Sequence, residues 1–291
     1  MAFRTLIIST HCKLEYSLEY LVYRGVDVTK RIFINEISTI LIESTQVSIT
    51  TSLINEIVKR KIKVIFCDEK HDPIGEITPY NNSHNSSERI LTQIEWDKDT
   101  KDIIWKEIIK EKIKTESLML RKYGTLDASS QLENYLLNVE NGDITNREGH
   151  AAKVYFNNIF YDGFSRKENC DLNASLNYGY TLILSQFNRI VTAAGYLTQI
   201  GIHHKGQFNP FNFSCDLMEP FRYIVDQYAI KIYKEKLDFK KELVNMLSIN
   251  LIINGRELSF SNALTIYFNS VVEAINKQNP KLIKFPSFYE L

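Results

Sequence analysis

The sequence predicts an α+β fold: a small, β-sandwich-like N-terminal domain followed by a larger all-α domain. Three observations carry this. Residues 1–80 hold short runs rich in β-branched side chains, Asn81 to Glu88 is polar throughout, and beyond Asp97 apolar residues recur at helical spacing. The expected boundaries are 1–80 for the strand-rich domain, 81–96 for a linker and 97–291 for the helical domain. A chain of 291 residues has room for one large or two smaller domains at roughly 150 residues each, and can bury a core without staples.

Thr5 to Thr10 reads as a strand because isoleucine and threonine suit a pleated, half-buried surface. Leu14 to Tyr23 continues it as a hairpin, and Ile32 to Ile42 and Gln46 to Thr50 add further strands. Thr51 to Lys61 switches period: Leu53, Ile54, Ile57 and Val58 share one helical face, with Thr51 or Ser52 as cap. Val64 to Cys67 is a buried strand, Asp68 to Lys70 with Pro73 a turn, and Gly75 to Tyr80 a last strand. Helices are expected over Asp97 to Lys122, Leu126 to Val139 and Thr145 to Phe160, the last capped by Thr145 or Asn146 after a break at Asn141-Gly142-Asp143. Ala174 to Ile200 is long, mostly apolar and expected to be a central buried helix. Leu217 to Lys236, Lys240 to Ile249 and Asn262 to Asn276 complete the set, with a small hairpin turning at Asn254-Gly255.

Thirty-five basic residues balance thirty-five acidic ones, so the whole-chain charge gives no sign of nucleic acid, although local basic patches remain open. No apolar run approaches the roughly 18–20 residues of a membrane span. The opening residues lack a basic, then apolar, then small-residue leader. Cys12, Cys67, Cys170 and Cys215 form no CxxC pair, which argues against a zinc ribbon and a disulfide framework. A cytoplasmic protein in a reducing compartment is expected.

Three segments concentrate acid–base or metal-capable side chains. Asn146 to Ala152 (NREGHAA) opens a helix, where Glu148 either meets the helix dipole or points into a site; His150, two residues on, leaves on another face. Gly201 to Gln207 (GIHHKGQ) sets adjacent histidines in a glycine-flanked loop, and neighbours diverge, so one of the pair is a ligand or acid–base group, or else both are solvated. Asn209 to Arg222 contains Asp216 and Glu219 at a spacing that directs both carboxylates one way on a helix; the same spacing makes a capping box with Asp216 as N-cap. Carboxylates with one imidazole suit Mg²⁺ or Mn²⁺ better than structural zinc. Arg147, Lys153, Arg166, Lys167, Arg189, Lys205 and Arg222 can contact phosphates or remain solvated. Tyr155, Phe156, Tyr178, Tyr180, Phe208, Phe211 and Phe213 can stack on bases, though helical spacing favours the core for most of them. Neither a Walker loop nor a Gly-x-Ser-x-Gly elbow is present.

Taken together, NREGHAA at Asn146 to Ala152, GIHH at Gly201 to His204, Gln207-Phe208-Asn209, Phe211-Asn212-Phe213 and DLMEPFR at Asp216 to Arg222 resemble the CRISPR-associated integrase family, Cas1, in its type II form. Ser9-Thr10-His11 and Val64 to Asp68 add to the likeness, which covers nearly the whole chain and is least distinctive over its last forty or so residues. The resemblance implies a metal-dependent DNA endonuclease and integrase that inserts short foreign DNA fragments into the CRISPR array. It places catalytic and metal-binding roles on Glu148, His204 and Glu219, with Asp216 supporting and Arg147, Lys205 and Arg222 toward DNA. The cofactor implied is Mg²⁺ or Mn²⁺. The partners implied are double-stranded DNA (spacer precursor and leader–repeat), a second copy of the chain, a small second integrase subunit, the type II effector nuclease and an accessory adaptation protein. The strand-rich domain is expected to make the dimer and partner contacts and the helical domain to carry catalysis. Two other readings stay open: a free-standing metal-dependent nuclease on branched or single-stranded DNA, and a non-catalytic DNA-binding scaffold whose acids only cap helices.

Overall fold

The computed structural model describes residues 4–69, 73–77, 85–161 and 163–291. The chain divides into two compact units, Met1–Asn81 and Asn82–Leu291.

In the first unit, β1 (Arg4–Ile8), β5 (Ile37–Ile42), β7 (Lys63–Cys67) and β8 (Pro73–Glu76) form one sheet in the order β1-β5-β7-β8. A second sheet runs β4-β3-β2-β6, from β2 (Cys12–Ser17), β3 (Tyr20–Arg24), β4 (Thr29–Phe33) and β6 (Val47–Ile49). The expected hairpin turns at Leu18 and Glu19, both at positive φ, and pairs Ser17 with Tyr20. That is the backbone a two-residue hairpin demands. One apolar cluster joins the sheets through Ile8, Leu14, Leu21, Ile40 and Val64, and includes Leu53 and Ile57 of α1 (Thr51–Lys59). The cap of α1 is Thr50, whose hydroxyl accepts the Leu53 N–H, rather than Thr51 or Ser52. The strand expected over Gly75 to Tyr80 is instead Pro73–Glu76; residues 78–80 lie outside the described ones.

The span expected as a linker over 81–96 contains a helix, α2 (Ser86–Ile94). Its Gln93 is buried and explains why: Nε2 donates to the carbonyls of Leu197 and Ile200, and Oε1 accepts the Leu197 N–H. A polar side chain here does the work of a core residue. Then come α3 (Lys98–Tyr123), α4 (Leu126–Leu137), α5 (Arg147–Ile159) and α6 (Asp171–Ala193). The expected run of α6 to Ile200 stops early. Gly195 takes φ 78°, its N–H bonds the Thr192 carbonyl, and the Tyr196 N–H bonds that of Val191. This paired C-terminal closure needs a left-handed residue, which glycine supplies.

The helix expected over Leu217 to Lys236 is broken in two: α7 (Asn212–Met218), a 3₁₀ turn at Glu219–Phe221, and α8 (Arg222–Glu235). Pro220 lacks the N–H that a continuous helix would need. The remaining elements are α9 (Phe239–Met246), β9 (Asn250–Ile253) paired with β10 (Arg256–Ser259), and α10 (Phe260–Asn276). α3 is the axis of this unit. It touches α4, α5, α7, α8, α10 and the 3₁₀ turn, and buries Ile104, Trp105, Ile108, Ile109 and Ile113 completely. Among the described residues no helix is long and apolar enough to cross a membrane.

Candidate active site

Glu148 is placed by its own helix start. Asn146, at φ 51°, is the N-cap of α5 and accepts the Gly149 N–H. Asp143 is buried just upstream and takes the Arg147 N–H on one oxygen, at 2.8 Å, and the Glu148 N–H on the other, at 3.0 Å. Two side chains therefore satisfy amides that a helix leaves open at its N-terminus. The Glu148 carboxylate is left to leave the helix sideways. His150 is exposed and lies near Tyr135.

Asp216 has a different task from the one its spacing suggested. It lies inside α7, not at its cap, and is fully buried. Its Oδ2 accepts the N–H groups of Ile202 and His203, and its Oδ1 accepts the N–H of His204 and contacts His204 Nδ1 at 2.6 Å. One carboxylate thus folds the Gly201–His204 loop around itself and orients the imidazole. Gly201 is required here, because a Cβ would stand 2.6 Å from Asp216 Oδ2 and 2.6 Å from the His204 carbonyl. Asn212 clamps the rest of the loop, donating to the carbonyls of Gln199 and Gly206 and accepting the Gly206 N–H.

The two histidines diverge as neighbours must. His203 is exposed and lies flat on Trp105, ring centres 4.5 Å apart and planes within 1°. His204 meets the same indole edge-on. The Asp216 hydrogen bond raises the imidazole of His204 above its ordinary value against the opposing effect of burial, with Asp216, Glu219 and Glu148 contributing their charge. Those last two acids are close enough for His204 to feel them.

Glu219 opens the 3₁₀ turn and is buried. Arg222 holds it with both arms, Nε to Oε2 at 2.8 Å and Nη2 to Oε1 at 2.9 Å. Burial alone would raise this carboxyl, but Arg222 and Lys112 outweigh it and hold the group below the usual range. Lys112 is the residue that the sequence reading missed. Its ammonium lies 2.6 Å from Glu148 Oε1 and 2.6 Å from Glu219 Oε2, and so joins two acids seventy-one positions apart. Burial penalises this charge, yet Glu219, Glu148 and Glu116 together keep the lysine protonated, above its ordinary value. Its signal is in the sequence: Ile104, Ile108, Lys112, Glu116 and Leu120 follow each other every four residues, so Lys112 and Glu116 lie in the apolar stripe of α3.

The structure thus joins Glu148 and Glu219 through Lys112, and His204, held by Asp216, is near enough to feel the charge of both. Arg222 is engaged with Glu219 and lies over the Tyr180 ring, Arg147 lies over Tyr135, and Lys205 is exposed on the histidine loop. Of the other candidates, half-buried Arg189 bonds Ser261 and Arg166 bonds Asn173 and Asn177. Tyr155, Tyr178, Tyr180 and Phe213 are core, whereas Phe208 is 92% exposed beside the histidine loop. Among the described residues no three His, Cys, Asp or Glu side chains are drawn close enough to hold a metal ion. The donor set nevertheless fits a hard divalent cation: two carboxylates and an imidazole, with one positive charge, the Lys112 ammonium, between the acids.

Comparison with known proteins bears on the fold and the family. A CRISPR-associated endonuclease Cas1 from Neisseria meningitidis serogroup C is 27% identical over 298 residues, covering 100% of this chain and 98% of that one. One from Francisella tularensis subsp. novicida is 25% identical, over 84% and 86%. A solved casposase bound to integration product shares the fold at TM-score 0.75 and 18% identity, over 95% of this chain and 91% of that one. A Cas1 protein from Thermotoga maritima does so at 0.75 and 16%, over 95% and 97%. The family model for CRISPR associated protein Cas1 matches residues 6–247, a span that holds nearly all of the strand-rich unit and every side chain of the site described above, so the chain belongs to the Cas1 family.

Proposed function

We propose that this chain is the metal-dependent DNA integrase and endonuclease of CRISPR adaptation, inserting short foreign fragments into the array. The observation that carries the reading is the meeting of Glu148 and Glu219 on one ammonium, with His204 beside them, in a chain that spans nearly the full length of curated relatives named endonuclease. Glu148, His204 and Glu219 are the residues that would hold Mg²⁺ or Mn²⁺. Such an ion, when bound, supplies charge neutralisation at a phosphodiester.

The rest of the work belongs to the chain. The reaction is attack of a DNA 3′-hydroxyl on a phosphodiester: one P–O bond forms, another breaks, and the displaced 3′-oxygen takes up a proton. No covalent enzyme intermediate is needed, so alignment and electrostatics dominate. Asp216 accepts from His204 Nδ1, which orients the ring and leaves Nε2 as the nitrogen that Asp216 does not engage. Arg222 holds Glu219 ionised in a buried place. Exposed Lys205 and half-buried Arg147 are the proposed contacts to DNA phosphates.

Solved neighbours support the partners of this reading: the casposase is bound to integration product, and a Cas6-RT-Cas1–Cas2 complex contains a chain of the same fold at TM-score 0.77 and 16% identity, over 99% of this chain and 36% of that one. Double-stranded DNA and a small Cas2-type subunit are therefore the proposed partners, with a second copy of the chain bound through the strand-rich unit. The type II form, its effector nuclease and an accessory protein extend the same reading, which places the protein in the cytoplasm.

The test is strand transfer. The protein and its small partner subunit are mixed with a labelled short duplex and a supercoiled plasmid carrying leader and repeat, in Mn²⁺, Mg²⁺ or chelator, with Glu148→Ala alongside. Metal-dependent joining at the leader–repeat junction that vanishes in the variant is expected. Nicking without joining favours a free-standing nuclease using water in place of the 3′-hydroxyl, and binding without reaction favours a scaffold.

A further inference from the structure

Lys112 raises a question the proposed reaction does not answer. A buried ammonium on a helix interior is costly, and it stands between the two carboxylates that the reaction assigns to a divalent cation. It is anchored at mid-helix, so it cannot leave the site for solvent without unwinding α3. It does have somewhere else to go. Glu116 lies four residues further along the same buried stripe, within the reach of an i,i+4 pair, and its Oε2 is buried without a hydrogen-bond partner. An unpartnered buried carboxyl oxygen is rare and calls for an explanation; burial raises this carboxyl to about 8 from an ordinary 4.5, so at neutral pH it is protonated and releases that proton to solvent as the ammonium arrives.

We propose that Lys112 is the site's built-in counter-ion: it holds Glu148 and Glu219 together until a divalent cation enters, and then transfers to Glu116. The inference rests on the cation assignment above and deepens it. Two like charges cannot occupy one gap between two carboxylates, so the incoming ion must displace the ammonium. The gap meanwhile stays formed, because the lysine prevents the two acids from repelling each other. Lys112 acts through the two carboxylates and is a positioning residue, with Glu116 as its second station.

The test uses the full chain, stripped with chelator, with Mn²⁺ as the probe and free Mn²⁺ read by electron paramagnetic resonance. Thermal unfolding in chelator runs in parallel. Lys112→Met removes the charge shared by the two acids while Arg222 stays on Glu219, so its Mn²⁺ dissociation constant is expected to fall about tenfold. The same variant is expected to melt about 5–10 °C lower in chelator, and to recover when saturated with Mn²⁺. A merely structural lysine would not tighten metal binding; an equal or weaker affinity in Lys112→Met overturns the inference.

Glu116→Gln removes the second station. It is expected to weaken Mn²⁺ binding severalfold without lowering the melting temperature in chelator, and unchanged or tighter binding overturns the transfer. In the Lys112→Met background Glu116→Gln should have no further effect, whereas a general loss of negative charge would weaken binding equally in both. Should Lys112→Met fail to fold, Glu116→Gln alone decides. Glu148→Ala separates the two levels. Binding equal to the native chain overturns the site assignment and this inference together. Binding lost in Glu148→Ala but not tightened in Lys112→Met overturns only the role of the lysine.

Discussion

His204 Nδ1 lies 2.6 Å from Asp216 Oδ1, and the same carboxylate accepts the backbone N–H of His204. Ring and backbone of one histidine are thus held by one buried acid, which cannot shift without moving the whole loop. Asp216→Asn keeps the shape but turns an amide NH₂ toward donors. A loss of about 1–3 kcal/mol in urea denaturation is expected, with joining slowed about 10–100-fold. Full activity in Asp216→Asn would show that His204 is oriented by something else.

Gly201 tests the same loop from the backbone side. A methyl group there meets Asp216 Oδ2 and the His204 carbonyl at 2.6 Å each, and neither is the free end of a flexible side chain. Gly201→Ala should cost about 1–3 kcal/mol and depress strand transfer along with stability. A crystal structure of the variant should show the loop displaced from Asp216.

Adjacent histidines offer an internal control. His204→Ala should lower joining by more than the roughly 100-fold typical of losing a supporting residue. His203→Ala gives up only a stacked face on Trp105, about 1 kcal/mol, and should stay within about tenfold of native activity. Rates for the two variants under identical metal and DNA conditions decide which ring serves the reaction.

Asp226 carries a pH signature. It is buried on α8, where Tyr155 donates to Oδ2 at 2.7 Å and Tyr180 to Oδ1 at 2.5 Å. Burial raises its carboxyl to about 6 from an ordinary 3.8, although the two tyrosine hydroxyls and Arg222 pull the other way. The folded state therefore binds this proton more tightly than the unfolded chain. Its contribution is complete below about pH 4 and is lost as pH rises through about 6. Asp226→Asn cannot titrate there, so its stability relative to the native chain should improve between pH 4.5 and pH 7. Urea midpoints for both proteins across that range measure it, and a constant difference would refute the shift.

Much of the site was legible because it is local. NREGHAA, GIHH and DLMEPFR each carry their chemistry within a few residues, and the turn at Asn141-Gly142-Asp143 stands where Gly142 takes φ 67°. Capping chemistry and apolar period are properties of neighbours along the chain, so the strands, α1, α3, α5 and α10 could be read directly. Two local readings failed for tertiary reasons. Asp216 has capping-box spacing, but its acceptors' partners lie twelve to fourteen positions earlier, on another segment. The span 81–96 opens on a polar stretch, yet its Gln93 is buried because its amide closes backbone groups more than a hundred residues away.

By itself, then, the sequence determined the α+β order, the acids, the histidine pair and the family likeness, since these depend on spacing. Only the tertiary structure decided which groups face each other. Lys112 is thirty-six residues from Glu148 and one hundred and seven from Glu219. It sits in a helix of alternating lysines and glutamates, where charge pattern does not mark one lysine out. Burial does: packing α5 and the Glu219–Phe221 turn against α3 removes water from one ammonium and sets two carboxylates in ion-pair contact with it.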